Sequence, residues 1–346
     1  MKEIREAISR KGAIPFERFM ELALYGAGGF FATDKLRSVA SGDFLTSPEV
    51  SSLFGSTLAR FVVAEKDRIG EPFVVVEVGA GSGSALRPLL DEVSVTAWAV
   101  EAAPAARQAL GLIIDPGRVV SSLSHVTSPL RGVVIANELI DNLPTALAQL
   151  TNEGWRERWV GTEDDRYVFV DAPLRPGVQK WLDRFAGPVE MGGWVECQVA
   201  ATDWVKDVIH RCTAGALLII DYGDLAENLA HRRAEGTLRT YRAHHLGPHP
   251  LDEPGATDIT SDVNFSALIA TCQEAGWDCD LVRQDDFLES WGLREKLADL
   301  RRQELAAAGS DEYLRLSLRS QRTAGETLLH ERGLGDFRVL VARNSD

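Results

Sequence analysis

Short, fully apolar segments alternate with helix-type segments from residue 73 onward, and this alternation is the main pattern in the chain. The apolar segments are FVVVEVG, VTAWAVE, GVVIAN and ALLIIDYG. Buried parallel strands have continuous apolar sequences because helices cover both faces of their sheet. The pattern therefore predicts the α/β class, with a doubly wound, Rossmann-like sheet.

The first 70 residues lack this strand pattern and predict helices instead. IPFERFMELALYG has helical spacing and ends at a glycine. A second helix is predicted from Ser47, because Pro48 suits the first turn of a helix. We therefore expect a helical N-terminal cap over residues 1–70.

We number GVVIAN as the fourth strand of such a sheet and ALLIIDYG as the fifth. About eighty residues separate them, and one crossover connection needs far fewer. The alternating pieces WRERWV and RYVFV predict a short antiparallel hairpin within this stretch. The expected division is a cap (1–70), a core (71–145 and 206–346) and an insertion (146–205). Residues 224–260, rich in Pro, His and Gly, are expected to form substrate loops.

Charge changes the picture by disfavouring some partners. The formal net charge is −14 and is spread along the chain, so binding to nucleic acid or to anionic membranes is disfavoured. A cationic substrate suits this field, although acidity for solubility alone is the alternative. No apolar run approaches the ~20 residues of a membrane-spanning helix, so no membrane span is expected.

Cysteine and histidine positions give no sign of a metal site. The four cysteines form no C-x-x-C pair, and we interpret them as core thiols of a reducing compartment. His244, His245 and His249 are interpreted as polar loop residues, and Arg239 and Tyr241 beside them are expected either to fix that loop or to face the substrate. The N-terminal MKEIREAISRKG resembles neither a secretory signal nor a transit peptide, so a cytoplasmic protein is expected.

The glycine loop after the first strand carries the candidate chemistry. It reads Gly79-Ala80-Gly81-Ser82-Gly83, and the next residue is Ser84. A dinucleotide fingerprint, G-x-G-x-x-G, requires glycine at position 84, so a nicotinamide cofactor is disfavoured. Glycines let the backbone turn sharply and let a ligand approach closely.

Two glutamates extend this motif. Glu101 ends the second strand, 18 residues after Gly83, where a carboxylate can accept both ribose hydroxyls of a cofactor without a 2′-phosphate. Glu77 completes E-x-G-x-G-x-G, which resembles motif I of S-adenosylmethionine-dependent methyltransferases. Carboxylates there offset the positive charge of a sulfonium and an amino group. We predict S-adenosylmethionine as cofactor and S-adenosylhomocysteine as product, with a ligand-free turn or a nicotinamide site as alternatives.

Further segments outside the loop are more specific than the loop itself. They are GDFLTSPEVSSLFG, AVEAAPAARQAL, ANELIDNLP, GTLRTYRAHH, PGATDITSDVNFSAL and GLGDFRVLVA. In these segments the chain resembles the MidA-like methyltransferase family, which includes the arginine methyltransferase that is a mitochondrial complex I assembly factor. The resemblance implies a methyl-transfer fold and, as partner, a protein with an exposed arginine. This chain has Asp262 and Asn264 where the family commonly has His and Asp.

The acceptor site is expected at the end of the fourth strand, beside the glycine loop. Asn137 is assigned to the cofactor. Glu138 is assigned to orient the acceptor nitrogen, with Asp141, on the same face of a helical turn, or Asp221 as a second catalytic carboxylate. The alternatives are a helix N-terminal acid for Glu138 and a turn-stabilising acid for Asp221.

The loop before the second helix is expected to close over the cofactor. Thr46 and Ser47 are assigned to cofactor binding, with Asp43 and Glu49 beside them, because a polar loop that opens a helix offers free N–H donors. A capping role for Ser47 is the alternative. A small-molecule acceptor, or an assembly protein without catalysis, remain alternative functions, and the sequence leaves the oligomeric state open.

Overall fold

The computed structural model describes residues 1–32, 46–231, 234–242 and 245–344. Its strands fall into two larger sheets and two smaller ones. In chain order they are β1 (Ile14–Pro15), β2 (Val74–Val78), β3 (Thr96–Val100), β4 (Val119–Val120), β5 (Leu130–Asn137), β6 (Ala146–Thr151), β7 (Gly154–Glu163), β8 (Arg166–Ala172), β9 (Trp194–Cys197), β10 (Cys212–Asp221), β11 (Gly223–Asp224), β12 (Arg239–Arg242), β13 (His245–Leu246), β14 (Asp258–Thr260), β15 (Val263–Asn264), β16 (Trp277–Arg283) and β17 (Arg338–Asn344).

Helices surround these sheets. In chain order they are α1 (Lys2–Lys11), α2 (Phe16–Tyr25), α3 (Ser47–Val50), α4 (Leu53–Ile69), α5 (Leu86–Glu92), α6 (Pro104–Leu110), α7 (Pro176–Phe185), α8 (Val199–Arg211), α9 (Ala226–Ala230), α10 (Phe265–Glu274), α11 (Gln284–Ser290), α12 (Leu293–Ala306) and α13 (Glu312–Thr327). Within the described ranges, none of them combines the length and the apolar character that crossing a bilayer requires.

The central sheet has seven strands in the order β16-β17-β10-β5-β2-β3-β4. The strands from β10 to β4 are parallel, and β17 is antiparallel to both of its neighbours. The chain runs outward from β2 to β4 and then returns to β5 on the other side of β2. This reversal makes a switch point between β2 and β5, where α/β folds bind ligands. The predicted doubly wound class is confirmed, although the sequence analysis missed the short β4 and the alternating β16.

Two apolar cores cover the two faces of this sheet. Leu218 and Ile220 of β10 pack into one core with α4, α5 and α11, whereas Leu217 and Ile219 pack into the other with α8 and α10. Successive strand residues point to opposite faces, so a strand buried on both sides must be apolar at every position. Complete burial of one such side chain contributes about 1.5–3 kcal/mol.

The second larger sheet is antiparallel and has five strands. Strands β6 to β9 lie in the chain between β5 and β10, and β7 pairs with β1, β6 and β8. Asp164 and Asp165, both at positive φ, form the turn between β7 and β8. The chain between β5 and β10, where a short hairpin was expected, thus supplies four of the five strands of this sheet.

Strand β1 ties the start of the chain to this second sheet. Ile14 pairs with Val160, and α2 buries Phe19 and Met20 in a third core that also contains Leu147. Helix α4, by contrast, packs on the central sheet. Residues 1–70 therefore contribute to two cores, and the proposed division of the chain into three regions stays a prediction.

Candidate active site

The glycine loop adopts a backbone conformation that only glycine tolerates well. Gly79, Gly81 and Gly83 have φ values of 72°, 52° and 81°. The Gly79 N–H donates to the carbonyl of Val100, at 2.8 Å, which ties the loop to the end of β3. A Cβ at Gly83 would lie 2.3 Å from Cδ1 of Ile113, so the third glycine is also required by packing.

Glu101 holds this loop in place. Its Oε2 accepts the Gly81 N–H at 2.8 Å, and its Oε1 accepts the Ala103 N–H at 2.7 Å. Burial raises the pKa of Glu101, while the two amides and the nearby Arg107 favour the ionised form. The position assigned to ribose recognition is therefore a partly buried carboxylate at the carboxyl end of β3.

Glu77 lacks a compensating partner. It is buried at the end of β2, and its Oε2 has no hydrogen-bond partner among the described residues. Burial, and then the charge of Glu101, raise the pKa of Glu77 to about 8. A ligand with positive charge would stabilise the ionised carboxylate, so this residue fits a sulfonium cofactor.

A cavity of about 260 Å³ opens between the glycine loop and the end of β5. Eight of the predicted site residues line it: Thr46, Glu77, Gly79, Ala80, Gly81, Glu101, Asn137 and Glu138. The buried Oδ1 of Asn137 has no partner among the described residues, which leaves an acceptor for a ligand in this wall. Gly83, Ser47, Asp141 and Asp221 lie outside the lining.

Glu138 is fixed by residues far away in the sequence. Its N–H donates to the Ile220 carbonyl at 2.8 Å, and its Oε1 accepts from the Ser47 N–H at 3.2 Å and from Nδ2 of Asn137 at 3.3 Å. Because Ser47 is the first residue of α3, the carboxylate lies at the N-terminus of that short helix. Burial, and then the charge of Asp141, raise the pKa of Glu138 to about 8.

Glu138 and Asp141 do not share a helical face, so this expectation is wrong. Glu138 has φ 48°, which is left-handed, and the helical turn begins only at Ile140. The turn directs Asp141 away from the cavity, where it accepts a hydrogen bond from the hydroxyl of Tyr222.

Asp221 stabilises the backbone of this turn. Its Oδ2 accepts the N–H groups of Ile140, at 3.0 Å, and Asp141, at 3.3 Å, and its Oδ1 accepts the N–H of Tyr222 at 2.9 Å. Burial raises the pKa of both Asp221 and Asp141. The two aspartates thus belong to the turn that follows Glu138 and its contacts, and neither lines the cavity.

The positions that depart from the family pattern have structural partners. Asp262 accepts a hydrogen bond from Arg239 at 2.7 Å. Asn264 accepts from the Ala267 N–H at 3.2 Å and so caps α10, while its Nδ2 donates to the Phe185 carbonyl at 2.9 Å. His249 packs against a phenylalanine ring, and the described residues contain no group of three His, Cys, Asp or Glu side chains suited to a metal. Asp43 and His244 lie outside the described residues.

Several cavity residues were missed by the sequence analysis. They are Tyr25, Phe31, Ser121, Asn142, Leu143 and Trp204. Ser121 follows the short strand β4, and Asn142 and Leu143 lie within ANELIDNLP, so these three had a local signal. The others reach the cavity from α2, α8 and neighbouring loops through tertiary packing. Residues 224–260, expected to supply substrate loops, contribute no described residue to this lining.

Comparison with known proteins agrees with this geometry. The family model described as S-adenosyl-L-methionine-dependent methyltransferase matches residues 57–282. The chain belongs to this family, which is MidA-like, and S-adenosylmethionine is its cofactor.

A solved relative from Burkholderia thailandensis has S-adenosylhomocysteine bound. It is 30% identical, with a TM-score of 0.84, and the similarity covers 99% of this chain and 91% of that chain. A native crystal structure of a COG1565 superfamily protein from the same organism is also 30% identical, with a TM-score of 0.82. The fold and the cofactor therefore agree with the sequence predictions.

Curated relatives carry a more specific name, mitochondrial protein arginine methyltransferase NDUFAF7. The Xenopus tropicalis protein is 28% identical over 74% of this chain and 66% of its own length. The Mus musculus protein is 27% identical over 86% of this chain and 75% of its own length. These relatives are mitochondrial, and that finding overturns the cytoplasmic expectation. Scattered cysteines only argue against a disulfide framework and do not identify a compartment.

The cavity residues suit the two parts of a methyl-transfer site. When bound, S-adenosylmethionine supplies an electrophilic methyl group on a positively charged sulfur. Glu101 and the glycine loop would hold the nucleoside, and Glu77 would offset the positive charge. Glu138 lines the same cavity at the end of β5.

Proposed function

We propose that this protein methylates the guanidinium group of an arginine on another protein. The observation that carries the proposal is the carboxyl group of Glu138, which lines the cavity and is held by Ser47 and Asn137. A carboxylate can bind a guanidinium through two parallel hydrogen bonds.

The charge of the acceptor is central to this proposal. The pKa of arginine exceeds ~12, so a neutral guanidinium at pH 7 costs more than ~7 kcal/mol. The acceptor therefore arrives as a cation. Glu49 adds a second acidic group near Glu138: its oxygens have no partner among the described residues, and burial raises its pKa to about 7. A bound cation would stabilise the ionised forms of both carboxyls.

The proton must leave the guanidinium as the new nitrogen–carbon bond forms. In our proposal the charge of the bound acceptor keeps Glu138 ionised, and its carboxylate accepts this proton as the methyl group moves from sulfur to nitrogen and S-adenosylhomocysteine leaves. Asp141 and Asp221 act as positioning residues, because their contacts hold the turn that follows Glu138. The names of the curated relatives support arginine as the acceptor and a protein as the substrate.

The test is transfer of isotopic label from S-adenosylmethionine into a lysate of cells that lack this protein. We expect the wild type to label at least one protein band and digestion of that band to yield methylated arginine. Glu138→Gln is expected to lower labelling at least a hundredfold while the Kd for S-adenosylhomocysteine stays within about threefold. Glu190→Gln, at an exposed position, is the matched control and should behave as the wild type.

Two results would contradict the proposal. Label that enters only small molecules would identify a small-molecule methyltransferase. Intact cofactor binding without any transfer would favour a non-catalytic assembly protein.

A further inference from the structure

A second hollow lies beside the cavity. It is a groove of about 550 Å³, and its walls include Glu21, Pro144, Arg175 and Ala200. Among the described residues, Tyr25 is the residue that lines both the groove and the cavity. The two spaces therefore meet at one side chain.

Helix α2 and the loop after Asn142 each contribute neighbouring positions to both spaces. On α2, Glu21 lines the groove and Tyr25, one helical turn later, lines both spaces. After β5, Leu143 lines the cavity and Pro144 lines the groove.

Helix α8 repeats this arrangement. Ala200 lines the groove, and Trp204, one turn later on the same helix, lines the cavity. Because three separate elements line both spaces, the groove and the cavity lie next to each other.

Tyr25 lies between the groove and the cavity. Its hydroxyl donates to the carbonyl of Asn142 at 3.2 Å, and its ring stacks on Phe31 with centroids 5.5 Å apart. These contacts hold the ring between the groove and the cavity. A side chain that entered from the groove would have to pass along this ring to reach Glu138.

The charged groups of the groove already compensate one another. Arg175 pairs with Glu17 at 2.8 Å and with the buried Glu157 at 2.7 Å, and Arg18 pairs with Glu21 at 2.6 Å. The groove therefore presents no excess of one charge to attract a metal ion or a polyanion. Polar pairs beside proline rings suit a polypeptide, which offers N–H and C=O groups and small apolar surfaces along its length.

We propose that this groove binds the polypeptide segment that carries the acceptor residue, and that the acceptor side chain passes Tyr25 to reach the cofactor cavity. The inference rests on the proposed function. It adds that the substrate is recognised as a polypeptide, through residues outside the methyl-transfer site.

The test fills the groove without touching the cavity. Ala200→Phe places a ring in the groove, and Lys206→Phe adds the same ring at an exposed position of α8 that lies outside both linings. We expect Ala200→Phe to lower labelling of the protein band at least tenfold while the Kd for S-adenosylhomocysteine stays within about twofold. Lys206→Phe should match the wild type in both measurements.

A second variant protects the test against misfolding. Arg18→Trp also enlarges a side chain that lines the groove, at a half-exposed position on another helix. If Ala200→Phe abolishes cofactor binding, Arg18→Trp should still show the tenfold loss of protein labelling. Wild-type labelling by a groove variant that binds cofactor would overturn the groove assignment alone. If the wild type labels no protein at all, the proposed function fails and the groove assignment fails with it.

Discussion

The carboxylates at the two ends of the cavity differ in their hydrogen-bond donors and in the charges near them. At the cofactor end, Glu101 accepts two backbone N–H groups and lies near Arg107. At the acceptor end, burial raises the pKa of Glu138, Asp141 and Asp221, and the charge of Asp141 raises the pKa of Glu138 and Asp221 further. The hydrogen bonds that the described residues give to these three side chains all come from neutral groups.

This difference indicates where positive charge is missing. Buried carboxylates without a nearby cation are stabilised either by protonation or by a cationic ligand. The cofactor end is largely complete within the protein, with Glu77 as its one uncompensated carboxyl among the site residues described above. The acceptor end has no such compensation, which supports the proposed guanidinium over a neutral acceptor.

The largest expected effect would disrupt the cofactor end alone. In Gly79→Val, a side chain is forced onto a residue at φ 72°, and its Cβ lies 3.0 Å from Cδ1 of Leu139. We expect binding of S-adenosylhomocysteine, measured by isothermal titration calorimetry, to weaken at least a hundredfold. Gly177→Val, at a glycine with open space around it, is the control. Unchanged affinity in Gly79→Val would show that the glycine loop does not form the cofactor site.

A smaller effect tests whether Glu77 needs a cation. Below its pKa of about 8 the carboxyl of Glu77 is protonated, so affinity for S-adenosylmethionine should rise by up to about tenfold per pH unit as pH increases toward 8. The product, which lacks the sulfonium charge, should show a weaker dependence. Glu77→Gln should flatten the difference between the two ligands, and an unchanged difference would assign the pH dependence to another group.

The same pKa shift also has a consequence for the ligand-free protein. Because the folded-state pKa of Glu77 lies above its value in the unfolded chain, the folded state binds more protons between about pH 4.5 and 8. Stability from this group is fully present below the unfolded-state pKa and is lost as pH rises through about 8. The melting temperature of wild type should therefore fall with pH over this window more than that of Glu77→Gln.

The smallest expected effect on activity concerns the residues behind the acceptor wall. Tyr222→Phe removes the hydroxyl that donates to Asp141 and leaves that buried carboxyl without its partner. We expect a loss of about 1–3 kcal/mol in unfolding free energy, measured in urea. Methyl transfer by the folded variant should stay within about twofold of wild type. A hundredfold loss of transfer with unchanged stability would instead make Asp141 part of the catalytic site.

Sequence analysis could predict the cofactor end because its signals are local. The strand, the glycine loop and Glu101 follow one another within 30 residues, and each has a physical reason at its own position. The acceptor end depends on long-range contacts: Ser47 reaches Glu138 across 91 positions, and Tyr25 reaches Asn142 across 117. Such pairs leave no periodicity or spacing to detect. The helical turn expected for Glu138 also failed, because nothing in ANELIDNLP reveals a left-handed backbone at the glutamate.

The pairing of β1 with β7 constrains the order in which the protein can assemble during synthesis. Helices α1 and α2 leave the ribosome before the residues that cover them: Phe19 and Met20 pack in one core with Leu147, Val160 and Ile259, which are made more than a hundred residues later. Until then this apolar face has no native partner, and chains of that kind are exposed to aggregation. During this interval of synthesis we expect a chaperone to bind the exposed apolar face of α1 and α2.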